Sequence, residues 1–213
     1  MRLRRKQAAD SAEPAEAVEE AAAPTAPGHR SDGPWDSSEL TVEEDDETRA
    51  DLGALSIEGH PEVELRLQVD EASQQVQAVM LVAQDGAMEL RAFASARNEE
   101  LWDELRPRLV EEASRHGGSA EEVEGPYGPA LQLTMPVVDS EGRRGTQQSV
   151  VMGIAGPRWM LRVTMFGRPA AAYDPEGLLE RTLRKVVVTR GSEPMAPGDP
   201  LPLKLPSGAR RMG

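Results

Sequence analysis

The 213-residue chain carries a formal net charge of −13 and contains no cysteine. The lack of cysteine excludes disulfides, thiolate catalysis and Cys-based metal sites, and the acidic balance argues against general binding to nucleic acid, which needs clustered Lys and Arg. The three histidines are widely separated, so no metal site is predicted. No apolar run is long enough to span a membrane, and the N-terminus lacks the apolar core of a signal peptide, which together predict a soluble cytoplasmic protein.

Residues 1–50 are dominated by Ala, Pro and Glu, with more than twice as many acidic as basic side chains. Such sequence buries too little apolar surface to offset the entropy lost on ordering, so it predicts a disordered acidic tail. The motif DGPWD at 32–36 interrupts this tail. Because an aromatic side chain can bury a large surface, Trp35 is expected either to fold back onto the domain or to form a short docking motif for a protein partner.

A change of pattern predicts a single domain over residues 51–190. Three segments in its first half have the period-two alternation or apolar continuity of strands. They are VELRLQV (63–69), QVQAVMLVAQ (75–84) and AMELRAFA (87–94). Short turns between them predict an antiparallel meander.

A helix is predicted next, because Leu101, Trp102 and several later leucines recur at helical spacing. Asn98 suits its N-cap, and Gly117–Gly118 suit its end. Pro107 lies inside the pattern, so it is expected to kink the helix or shorten its start.

The second half of the domain repeats this order. Strands are predicted in ALQLTM (130–135), TQQSVVMGIA (146–155) and RWMLRVTMF (158–166), and a helix follows Asp174–Pro175. Three strands, a helix, three strands and a helix predict an α+β fold with an antiparallel sheet of about six strands and the helices packed on one face. Residues 191–213 are proline-rich and predict an extended C-terminal segment.

The candidate ligand site is the stretch GPRWMLRV (156–163). On a strand, Trp159 would face the core while Arg158 and Arg162 share the other face, ~7 Å apart. That spacing suits two oxyanions or a carboxylate clamp. The competing interpretation is that these arginines pair with acids of adjacent strands, such as Glu89.

Tyr127 is a second candidate for contact with a partner. It lies at the tip of VEGPYG (123–128), whose Gly-Pro and Tyr-Gly pairs require a specific turn. The loop is either structural or a binding element, so Tyr127 joins Trp35 as a candidate partner-binding residue. The sequence shows no nucleophile–base pair and no phosphate loop. No catalytic residue, metal ligand or cofactor is therefore predicted.

Several segments taken together resemble an actinobacterial family known as domain of unknown function 3710. They are, in this order, DGPWD, RADLGAL (49–55), LWDELR (101–106), VEGPYG, GPRWMLR and EPMAPGDPLPLKLP. The similarity covers roughly residues 32–206. The family carries no established activity or catalytic residues to transfer, so the resemblance bears on source and boundaries and leaves function open.

Two hypotheses follow. The preferred one is a non-catalytic cytoplasmic protein-interaction or scaffold domain that uses its sheet face, Trp35 and the C-terminal segment. The alternative is a small-anion or nucleotide-binding protein centred on Arg158 and Arg162. The sequence does not determine the oligomeric state.

Overall fold

The computed structural model describes residues 30–42, 46–72, 74–96, 101–139 and 141–205. The elements are β1 (Trp35–Asp36), β2 (Arg49–Asp51), β3 (Leu55–Glu58), β4 (Glu64–Val69), β5 (Val76–Ala83), β6 (Gly86–Ala94), α1 (Leu101–Arg115), β7 (Ser119–Gly125), β8 (Gly128–Val138), β9 (Arg144–Gly156), β10 (Trp159–Gly167), α2 (Arg168–Ala171), α3 (Leu178–Arg184) and β11 (Val187–Val188). The predicted α+β class and antiparallel sheet are confirmed.

The main sheet has seven strands rather than about six, in the order β4-β5-β6-β10-β9-β8-β7. All six predicted strands are present. The additional edge strand, β7, pairs with β8 from Ser119 opposite Thr134 to Gly125 opposite Gly128. Its sequence, SAEEVEG, was missed because three glutamates hide the weak alternation of Ala120 and Val123.

A second, smaller sheet has the order β1-β11-β3-β2, with β1 parallel to β11. Strand β1 comes from DGPWD, and β2 spans the predicted domain boundary at residue 51. Ordered structure in the described part of the chain therefore begins before that boundary. These segments are fixed by backbone pairing of strands that are only two or three residues long. Such strands are too short to show a hydrophobic periodicity in the sequence. Residues 1–29 and 43–45 of the predicted tail lie outside the described residues.

The helices pack on opposite faces of the main sheet, so the prediction that they share one face is wrong. Leu161 belongs to a core that also contains Leu183 of α3 and the small sheet, whereas Met160 packs with Trp102 of α1. The central strands are apolar on both sides. A sheet of this kind must be covered on both faces.

Helix α1 is continuous from Leu101 to Arg115 through Pro107, and the predicted cap Asn98 lies outside the described residues. Trp102 holds the helix to the sheet. Its indole N–H donates to the Pro129 carbonyl at 2.7 Å, and its ring lies directly over Gly153, where a Cβ atom would come within 2.4 Å. The glycine in β9 thus allows the close approach of the tryptophan ring.

The C-terminal segment is extended across both sheets as far as the structure describes it. Leu201 is buried and its N–H donates to the Ala92 carbonyl at 2.8 Å. Leu203 forms isolated bridges to Gly53 of the small-sheet region and to Val76 of the main sheet. Residues 206–213 lie outside the described part.

Trp159 is a fully buried core residue, as predicted, and it anchors the N-terminal segment. Its indole N–H donates to the Asp36 carboxylate at 2.7 Å. The Arg30 guanidinium stacks over the same ring at 5.3 Å and forms two hydrogen bonds with Glu39, at 2.6 and 2.8 Å. We call Arg30, Asp36 and Glu39 the N-terminal clasp. It couples residues 30–39 to the centre of the main sheet.

Removing the carboxylate of the clasp should destabilise the protein. In Asp36→Ala the buried Trp159 N–H loses a charged acceptor, which lowers the free energy of unfolding by about 2 kcal/mol. Asp36→Asn keeps an acceptor oxygen and should lose about half as much. Urea denaturation monitored by tryptophan fluorescence measures both variants. Equal stability of Asp36→Ala and the wild type would contradict this role of the clasp.

Candidate functional site

The structure separates the two arginines proposed for the ligand site. Arg162 lies on β10, but Arg158 occupies the exposed turn before it, with a φ of +60°. Pro157 fixes the first position of this two-residue turn, and the second requires a positive φ. The strand therefore begins at Trp159, and the expectation that both arginines share one strand face is wrong.

Arg162 pairs with Glu89, as the competing interpretation predicted. The guanidinium lies 3.5 Å from the Glu89 carboxylate and 5.8 Å from the Phe93 ring centre. The same carboxylate accepts hydrogen bonds from Arg91 at 2.9 Å and Gln68 at 3.1 Å. Burial lowers the pKa of Arg162, and the facing Arg91 lowers it further. In this group of side chains, the Arg162 cluster, two guanidinium groups share the central Glu89 carboxylate, and Glu112 of α1 lies within electrostatic range of Arg162.

The two candidate partner-binding residues both lie near Arg184, at the end of α3. The backbone N–H of Trp35 donates to the Val186 carbonyl at 2.8 Å, which sets Trp35 beside the end of that helix. Burial raises the pKa of Tyr127, Tyr173 raises it further, Arg184 lowers it and Asp32 raises it, so all three residues lie within electrostatic range of Tyr127. We call Trp35, Tyr127, Tyr173 and Arg184 the Arg184 patch.

Gly33 makes this convergence possible. It has a φ of +90°, and a Cβ atom there would lie 2.0 Å from the Arg184 carbonyl oxygen and 2.8 Å from the Trp35 indole nitrogen. Only glycine adopts this backbone conformation without strain and leaves the space that the carbonyl occupies. The DGPW turn is thus built to pass close to the end of α3.

The Arg184 patch combines aromatic surface with a cation. It contains both tyrosines of the chain and one of its three tryptophans. Trp35 and Tyr127 are half-buried and Tyr173 is 37% exposed. Arg184 takes part in none of the ion pairs found within the described ranges.

Sequence reasoning identified half of this patch. Trp35 and Tyr127 stood out as isolated aromatic residues next to glycine and proline. Tyr173 and Arg184 were missed, since one follows an alanine-rich loop and the other ends an ordinary amphipathic helix. Only their positions in space relate them to the other two.

Comparison with known families covers most of the chain. Residues 33–212 match the family model described as "Protein of unknown function (DUF3710)". The chain belongs to this family. The match confirms the family resemblance and includes residues 33–35 of the DGPW turn and every residue of the Arg184 patch. Among curated proteins, none matches the chain. In the part of the DUF3710 chain that the structure describes, no helix is long and apolar enough to cross a membrane.

Substitution of Gly33 tests whether the DGPW turn is as constrained as its geometry indicates. Gly33→Ala should lower the free energy of unfolding by about 3 kcal/mol, because backbone strain adds to a clash with a carbonyl oxygen. Gly191→Ala is the matched control: its φ is +71°, but no atom lies within 4 Å of the added Cβ. We expect that control to lose only about 1 kcal/mol in chemical denaturation. An equal loss of unfolding free energy in Gly33→Ala and Gly191→Ala would show that the close packing of Gly33 against the Arg184 carbonyl is unimportant.

Proposed function

We propose that this protein is a non-catalytic, cytoplasmic protein-interaction domain whose Arg184 patch binds a segment of a partner protein. The observation that carries the proposal is the convergence of Trp35, Tyr127 and Tyr173, from separate parts of the chain, at the end of α3, where Arg184 forms no ion pair with any described residue. Tryptophan, tyrosine and arginine are the residue types that contribute most to binding at protein interfaces. Trp35 and Tyr173 are only partly buried, which leaves part of their aromatic surface available to a partner.

The shape of the surface favours a protein segment over a small ligand. Two clefts in the described ranges lie away from the Arg184 patch. One is beside α2, around Ala170 and Ala171, and the other is a space of about 50 Å³ near His60. Small molecules usually bind in enclosed clefts of several hundred Å³. A broad aromatic surface suits a contact that is spread over several partner residues.

The C-terminal segment and the cytoplasmic location are the two remaining parts of the proposal. The C-terminal segment was an expected binding element, but as far as Leu205 it packs across the two sheets. The proposed surface therefore excludes it. Placement in the cytoplasm depends on composition, because a chain without cysteine needs no oxidising compartment.

The patch can be tested by removing its two accessible aromatic side chains. Trp35→Ala and Tyr173→Ala should each reduce recovery of a specific partner at least tenfold in affinity purification from the native organism, quantified by mass spectrometry. Loss of a central aromatic at an interface costs ~2 kcal/mol or more. Val69→Ala is the matched control, because Val69 is 41% exposed on the distant strand β4. Recovery of the same partners by all three variants would refute the proposal.

Small-anion or nucleotide binding is the second candidate, now centred on the Arg162 cluster alone. It is supported by the buried Nε of Arg162, which has no hydrogen-bond partner among the described residues, and by the sharing of the Glu89 carboxylate between two guanidinium groups.

Thermal-shift measurements with millimolar phosphate, nucleotides and phosphorylated metabolites test this second candidate. A true ligand should stabilise the wild type and Arg158→Gln equally, and fail to stabilise Arg162→Gln, because Arg158 lies in the turn outside the cluster. Absence of any shift, or a shift that persists in Arg162→Gln, would exclude the Arg162 cluster as an anion site.

A further inference from the structure

The hairpin of β8 and β9 extends beyond the strands on either side. The pairing of β7 with β8 begins at Ser119 opposite Thr134, and the pairing of β10 with β9 ends at Phe166 opposite Ser149. Among the residues that the structure describes, no strand neighbours the β8–β9 pairs from Met135 opposite Gln147 to Val138 opposite Arg144. We call residues 135–138 and 144–148 the ribbon. It has a free strand edge on each side.

The position of Pro136 indicates which way the backbone of the ribbon faces. Pro136 is opposite Thr146, and proline is found in strands with its nitrogen directed towards an unpaired edge. Pro136 and Thr146 therefore form a non-hydrogen-bonded antiparallel pair. In such a pair both residues direct their backbone N–H and C=O groups away from each other. The N–H and C=O of Thr146 therefore point out of the ribbon, at the edge of β9 that pairs with β10 further along the strand.

This edge of β9 lacks the protection that the outer edges of the main sheet have. Charged side chains usually guard exposed edges against pairing with other chains. Edge strand β7 carries three glutamates and edge strand β4 carries Glu64 and Arg66, but in the ribbon part of β9 only Arg144 is charged, and Gly-Thr-Gln-Gln at 145–148 is neutral. In addition, Val137 and Val138 of the ribbon are 37% and 65% exposed.

We propose that two copies of this chain pair through the open edge of β9, antiparallel and about a twofold axis at Thr146. In this register Arg144 of each copy lies opposite Gln148 of the other. The space for the second strand is present: an open groove of about 720 Å³ lies between the ribbon and the surface of Gly167, Ala170 and Ala171. Each copy's β9 extension fills the groove of its partner, as a self-complementary interface requires.

The occupant is a second copy because one chain carries both the protruding strand and the groove beside it, and charge explains why two copies pair at this edge. Two chains of net charge −13 repel each other, and close approach is least unfavourable where each is locally neutral. The ribbon and its loop are balanced, with Asp139 and Glu141 against Arg143 and Arg144, and Arg143 is ion-paired to both acids at 2.7 and 3.1 Å. The glutamates of β7 would face each other in a pairing at the other edge.

The test is the mass of the full-length protein by size-exclusion chromatography with light scattering, from low micromolar to several hundred micromolar chain. The wild type should have twice the mass of one chain, with dimerisation strengthened by added salt. Thr146→Pro removes the outward N–H but, like Pro136, leaves the pairing within the ribbon intact, so this variant should be a folded monomer. Thr146→Val keeps the N–H and should remain a dimer.

Three results would overturn the proposal. They are a monomeric wild type at every concentration, a Thr146→Pro dimer of unchanged stability, and a monomeric Thr146→Val. Circular dichroism and the thermal midpoint of Thr146→Pro separate loss of pairing from loss of folding. If that variant unfolds, Gln148→Lys provides the second measurement, because a lysine at the edge should also give a monomer. Trp35→Ala should remain a dimer, so this test is independent of the partner-binding proposal.

Discussion

The structure depends on one buried polar contact, between the indole N–H of Trp159 and the carboxylate of Asp36. A fully buried donor must have an acceptor, because leaving it unpaired costs ~1–3 kcal/mol. Here the acceptor comes from a segment 123 residues earlier in the chain. The hydrogen bonding of Trp159 is complete only when that segment is in place, and the N-terminal clasp is therefore an integral part of the domain.

The same contact positions the candidate binding surface. Asp36 is the second residue of β1, so fixing it on Trp159 also fixes Trp35 and the DGPW turn beside Arg184. Glycines in β9 allow the close packing on both faces of the sheet. Trp102 lies over Gly153, and a Cβ atom at residue 156 would lie 2.1 Å from the Trp159 ring. In a chain with few aromatic residues, these two tryptophans pack closely against glycine and so connect the main sheet to the elements on each of its faces.

The two proposed surfaces lie at opposite ends of one strand. Tyr127 immediately precedes β8 and Val138 ends it, so an extended strand of this length separates them by ~35 Å. Pairing of two copies through the ribbon would leave both Arg184 patches accessible. A dimer of this kind presents two equivalent binding sites, and a bivalent partner would bind it more tightly than a single patch could.

The sequence by itself determined the six long strands, the two main helices, the family and the burial of Trp159, because each is encoded in local periodicity or contiguous motifs. Tertiary structure alone decided the features that depend on distant partners: the short strands β1 and β2, the glutamate-rich edge β7, the placement of the helices on opposite faces, and the joining of Tyr173 and Arg184 to Trp35 and Tyr127. Arg158 shows the limit most clearly. Alternation placed it on a strand face, but the geometry of the Gly156–Pro157 turn holds it at a positive φ outside the strand. A one-residue difference in where a strand begins is enough to separate two side chains that the pattern had put together.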